Sequence, residues 1–225
     1  MPGWWPASAS RNILASNLDR SSDAQLGISM DHPGTVARPT PVLIVSGAPA
    51  TGKTTLGKKL ASEFTLPFLN RDGVKESLYD SLGAGDREWS LQLGVASSQL
   101  LFHFLERLVE AGQGLVVESN FVDRYDTPRF EAVLAGHAAR VVQIHCTAAA
   151  PVVIARYEER VARDERHPGH LGLAVLPELQ AGLREGRWRA LRLAAPCIPV
   201  NTTDAATLDH SGLYRAVRSQ LGVAG

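Results

Sequence analysis

The sequence predicts a three-layer α/β/α sandwich in which five parallel strands lie between two sets of helices. Three observations predict it. From Pro41 onward, short apolar runs alternate with segments of helical period. The first run, Val42 to Val45, is apolar at every position, as a strand buried on both faces must be. No internal repeat and no linker divides residues 40–225, so one domain accounts for the whole pattern.

After that first strand, Leu56, Leu60 and Phe64 recur every four residues and mark a helix. Leu66 to Leu69 gives a second strand, and Val74, Leu78 and Leu82 a second helix. Trp89 to Val109 is apolar on more than one face, which predicts a long helix packed on both sides, with Gly112 and Gly114 as stop signals. A third strand follows at Leu115 to Val117, then a short helix through Phe130, Val133 and Leu134. The fourth strand is Val141 to Cys146. Residues 151–166 read as an arginine-bearing helix, Ile198 to Val200 as the fifth strand, and Leu213, Val217 and Leu221 as the closing helix.

Composition bounds the function. With 225 residues, 44 % hydrophobic and 20 % charged, the chain builds an ordinary globular core. Twenty-three Lys plus Arg balance twenty-three Asp plus Glu, so no net field draws it to nucleic acid or anionic lipid. Two cysteines, Cys146 and Cys197, form no Cys-x-x-Cys pair, and the expected setting is reducing and cytoplasmic. No apolar run is long enough to span a membrane, and no secretory signal is read at the N-terminus. Residues 1–39, rich in Ser, Ala, Asp and Pro, read as a flexible extension. Its Trp4-Trp5 pair is either loose or docked on the domain, and Met30 is a candidate translation start.

The chemistry begins at Gly47-Ala48-Pro49-Ala50-Thr51-Gly52-Lys53-Thr54, followed by Thr55. This is Gly, four free positions, Gly, Lys, Thr, between a buried-type strand and an amphipathic helix. Glycines 47 and 52 let the backbone turn its N–H groups inward, and the helix adds its positive dipole end, so the loop suits an anion of two or three phosphates. ATP with Mg²⁺ is the expected cofactor pair: Lys53 would reach the terminal phosphates and the Thr54 hydroxyl the metal. The fold expectation thereby sharpens to a P-loop NTPase sandwich.

A transferase also needs a base for the attacking hydroxyl. Asp72, in Asn70-Arg71-Asp72 at the carboxyl end of the second strand, is either that base with Arg71 beside it, or the N-cap of the next helix. Glu118, ending the third strand, would hold Mg²⁺ or pair with a nearby cation. Asn120 and Arg124 follow on a loop where they could recognise acceptor oxygens. Arg156, Arg160 and Arg163 share a helix face, with Arg166 one turn on; they would neutralise transferring phosphate as an arginine-bearing lid, or lie in a solvated face with Glu158, Glu159 and Glu165. His167 and His170 belong to a turn that touches the acceptor or closes the lid. Thr202, after the fifth strand, would lie against the nucleotide or in a turn.

Together, GAPATGKT, NRDGVKESL and GLVVESNF resemble the P-loop kinases of nucleoside-monophosphate-kinase-like fold. The resemblance spans residues 42 to about 220. It is similar to the kinase domain of phage-type polynucleotide 5′-hydroxyl kinases and to predicted small-molecule kinases of bacteria, with a more distant likeness to zeta toxins and chloramphenicol phosphotransferases. It implies that Asp72 acts as base and that Arg160 or Arg163 contacts the transferring phosphoryl group. Glu118 departs from the aspartate of polynucleotide kinases, and the neutral charge offers no strand-binding groove. The leading expectation is therefore an ATP-dependent kinase with a small-molecule hydroxyl acceptor, a metabolite, sugar or antibiotic-like compound. A polynucleotide or tRNA-end kinase and a nucleotide-dependent switch or assembly ATPase are the alternatives.

Overall fold

The computed structural model describes residues 39–163, 167–170 and 172–223. The expectations for the N-terminal extension and for Arg166 lie outside these residues. The first half of the chain runs β1 (Thr40–Gly47), α1 (Lys53–Glu63), β2 (Phe68–Asn70), α2 (Arg71–Leu82), α3 (Arg87–Glu110) and β3 (Leu115–Glu118). The second half runs α4 (Asp123–Leu134), β4 (Ala139–Thr147), α5 (Ala150–Ala162), α6 (Leu176–Arg184), β5 (Cys197–Asn201) and α7 (His210–Leu221). All five strands are parallel, in the order β2-β3-β1-β4-β5.

Strand β1 is central, which explains its uninterrupted apolar run. Side chains alternate across a strand, so Leu43 and Val45 pack with Leu56 and Leu60 of α1 and Val217 of α7. Val42 and Ile44 point the other way, into a cluster with Leu101, Phe102 and Leu105 of α3 and Phe130 of α4. Each fully buried aliphatic side chain contributes about 1.5–3 kcal/mol. After β1 the chain crosses to the β2 edge, and after β3 it crosses back to the far side of β1. The carboxyl ends of β1, β3 and β4 therefore bound a crevice of the kind in which open α/β sheets bind ligands.

Four differences from the expected elements matter for function. Helix α2 starts at Arg71 with Asn70 as its N-cap, so Asp72 sits inside the first helical turn; it neither ends β2 nor caps the helix. Helix α5 stops at Ala162, short of the expected 166. An unexpected helix, α6, carries Leu176, Leu179 and Leu183 at helical spacing, with Pro177 in the first turn where no N–H partner is lost. Its Leu179 joins Val153 and Tyr157 of α5 in a third small core. Finally, α3 packs against α2, α4 and the β2–β3 side of the sheet, yet leaves Leu91, Val95 and Phe104 exposed.

Candidate active site

The loop from Gly47 to Thr54 has the geometry its glycines anticipate. Gly47 has φ 139°, and a Cβ there would come within 2.2 Å of the Cys146 carbonyl oxygen, so no larger residue fits. Gly52 (φ 78°) turns the chain directly into α1, and Ala50 (φ 59°) adopts the left-handed region without that freedom. The Thr51 hydroxyl donates to the Ala48 carbonyl at 2.8 Å and braces the bend.

Lys53 is buried at the start of α1. Its Nζ donates to the Ala48 carbonyl at 2.7 Å and lies 3.9 Å from Glu118 Oε1. The Thr54 hydroxyl donates to Glu118 Oε2 at 3.0 Å. Register explains the meeting, since Glu118 at the end of β3 pairs with Val45 near the end of β1. Burial is the largest influence on both ions: it lowers the Lys53 pKa and raises that of Glu118, while each opposes the other's shift through attraction. The cradle thus holds a poorly hydrated cation facing open space, a site that gains from an entering anion. Thr54 and Glu118 are hard oxygen donors side by side, a set that suits Mg²⁺. Among the described residues, no group of three or more His, Cys, Asp or Glu residues is placed to hold a metal unaided.

Residues from the far end of the chain clasp this loop. The buried Thr202 hydroxyl lies 2.8 Å from the Thr51 carbonyl and 3.1 Å from that of Thr147, and its N–H donates to Thr147 at 2.7 Å. Arg156 donates to the carbonyls of Thr202 and Thr203 at 2.8 and 3.1 Å. Thr202 and Arg156 therefore support the cradle from behind as well as lining the cleft.

A cavity of about 960 Å³ runs along the loop and is lined by Lys53, Thr54, Asp72, Glu118, Asn120 and Arg160 among others. Asp72 is half exposed, 4.0 Å from Arg71, and its charge acts on both Lys53 and Glu118. Arg71 also lines the cleft. A second cavity of about 530 Å³ opens from the same wall, sharing Arg71, Asp72, Asn120 and His170 with the first.

His167 and His170 also line the cleft, and each meets a carboxylate of α2: His167 lies 3.0 Å from Asp80 and His170 2.9 Å from Glu76. The Ser90 hydroxyl donates to the Gly169 carbonyl at 3.2 Å. These contacts tie the α5–α6 connection to the helices beside Asp72.

Outside the phosphate loop, two expected site residues line neither cavity. Arg163 caps α5 and pairs with Glu159. Arg124 is exposed, its guanidinium 5.5 Å from the Tyr125 ring. Sequence reasoning did not single out Glu178, Arg187 and Trp188, which line the larger cavity from α6 and beyond. Once α6 is recognised by its leucine spacing, their nearness to α5 follows.

The AAA_33 family, described as an AAA domain, matches residues 42–185. A candidate kinase from Chloroflexus aurantiacus J-10-fl is 35 % identical, with a TM-score of 0.74 over 81 % of this chain and 98 % of that one. A sugar kinase from Janibacter sp. HTCC2649 shares the fold at 19 % identity and a TM-score of 0.52, covering 83 % and 96 % of the two chains. No curated protein matches. With more than half of its length matched and the phosphate loop built as its sequence requires, the chain belongs to the AAA_33 family of AAA domains, and its fold is that of the P-loop kinases.

Proposed function

We propose that the protein is an ATP-dependent phosphotransferase that moves the γ-phosphoryl group to a hydroxyl of a small molecule. One observation carries this reading: Lys53 and Thr54 of the phosphate loop and the carboxylate of Asp72 line a single cleft, with Asp72 close enough to act on the Lys53 charge.

Each residue then has a chemical task. The loop amides and Lys53 hold the phosphate chain of ATP. Thr54 and Glu118 would hold Mg²⁺, which when bound neutralises charge on the phosphate oxygens. Asp72 accepts the proton of the acceptor hydroxyl as its oxygen bonds to the γ-phosphorus. The bond from that phosphorus to the β,γ-bridging oxygen breaks, and ADP departs with the electron pair. Arg160, on the lid side of the cleft, faces the charge that spreads over the migrating group. The contacts of His167 and His170 with α2 help hold the lid segment over the cleft and so exclude water that would waste ATP.

The kinase reading is tested by pairing calorimetry with acceptor-dependent ADP release. Asp72→Asn is expected to bind MgATP as the native protein does and to lose about 10²–10⁴-fold in transfer rate. Full activity in that variant removes Asp72 from the chemistry. Salt-sensitive binding of single-stranded oligonucleotides would instead point to a nucleic-acid end as acceptor.

A further inference from the structure

The second cavity, which shares Asp72 with the first, has a lining of its own. Seven large apolar side chains are exposed among the described residues, and three of them, Leu91, Val95 and Tyr125, line this one cavity at 60 %, 64 % and 63 % exposure. Leu91 and Val95 are four residues apart and share a face of α3. Tyr125 comes from α4, a different element, so the apolar wall is formed by convergence and not by one helix alone. Between Leu91 and Val95 lies Gly94, where a Cβ would meet nothing within 4 Å. A glycine within a 24-residue helix weakens it, and here it leaves the cavity floor clear.

Most of the remaining lining is polar and includes Asp72 and Asn120. Three of the cations lining the cavity are engaged by the protein itself, while Arg71, 4.0 Å from Asp72, keeps a buried Nε with no hydrogen-bond partner. Arg129 donates to the Ser98 hydroxyl at 2.6 Å and lies 3.8 Å from the centre of the Phe102 ring, Lys75 donates to Ser90 at 2.9 Å, and Arg87 pairs with Glu178. With Asp72, Asp126 and Glu178 on the same lining, that arrangement fits an uncharged ligand whose oxygen Arg71 can meet better than it fits a polyanion.

We infer that the acceptor is a neutral amphipathic alcohol, an aryl or alkyl group bearing the hydroxyl that Asp72 addresses, in preference to a small polyol. Its apolar part covers Leu91, Val95 and Tyr125, while its hydroxyl enters the shared mouth of the two cavities. This rests on the kinase reading, because it takes the second cavity to be the acceptor side of Asp72. It adds that discrimination comes from α3 and α4.

Ligand-observed NMR on the full chain, with Mg²⁺ and a non-hydrolysable ATP analogue, tests it. The probes are aryl and alkyl alcohols set against polyols of equal heavy-atom count. The aryl and alkyl alcohols are expected to bind about tenfold more tightly, since covering one aliphatic side chain is enough for that difference. Leu91→Gln with Val95→Gln should abolish the preference, and both positions are exposed enough to tolerate the change in the fold. Tyr125→Ser, on α4, gives an independent reading. Tighter binding of the polyols, a preference that survives these substitutions, or binding by neither set overturns the inference. Failure of the kinase reading would look different: the native protein would take up no MgATP.

Discussion

Glu118 concentrates the cost and the use of this site in one side chain. Burial holds its carboxyl above the usual glutamate range, with Lys53 beside it pulling the other way. A group whose folded pKa exceeds its unfolded one contributes stability below the unfolded value, and that contribution is lost as pH rises through the folded value. Glu118→Gln, neutral throughout, should therefore gain in melting temperature relative to the native protein as pH rises from about 4 to 8, while losing Mg²⁺-dependent activity. A difference that shrinks over that interval would show that attraction to Lys53 outweighs burial. The phosphate loop was legible at this scale because its residues are consecutive. Thr202 and Arg156 were legible only as cleft residues; their grip on the loop depends on a β4–β5 register that brings residues 51 and 202 together.

Among the elements, α3 departs most instructively from its sequence pattern. Its apolar residues on two faces imply more than one packing partner, and α2, α4 and the sheet supply them, yet Leu91 and Val95 open on a cavity beside Asp72. Periodicity reports that a face is apolar, not what covers it. Gly94→Ala should stabilise the protein by about 0.5–1 kcal/mol in denaturant unfolding, because it strengthens the helix and meets no neighbour. The same methyl group should weaken acceptor binding. A destabilised variant would mean that the glycine serves packing instead. Helix α6 was not read from the sequence, where a proline and a glycine interrupt a short leucine spacing; in the fold the first-turn Pro177 is harmless and Gly182 leaves room for Trp188, whose ring lies 2.6 Å from where a Cβ would be.

For the whole molecule, strand order turns scattered residues into one site. The parallel sheet brings the ends of β1 and β3 together, places Asp72 in the first turn of the helix that follows β2, and lets the loop after β5 clasp the phosphate cradle. Thr202→Val, which removes the clasp while keeping shape, should cost about 1–2 kcal/mol of stability and weaken MgATP binding measured by calorimetry. Unchanged nucleotide affinity would separate the clasp from function. The most direct measurement of phosphoryl transfer uses ATP labelled with ¹⁸O in its γ-phosphate, incubated with the protein and a small-molecule extract and read by mass spectrometry. The expected result is a labelled phosphate ester formed by the native protein and absent with Asp72→Asn, which still binds ATP. Labelled inorganic phosphate with no labelled ester, or equal ester from the variant, would contradict it.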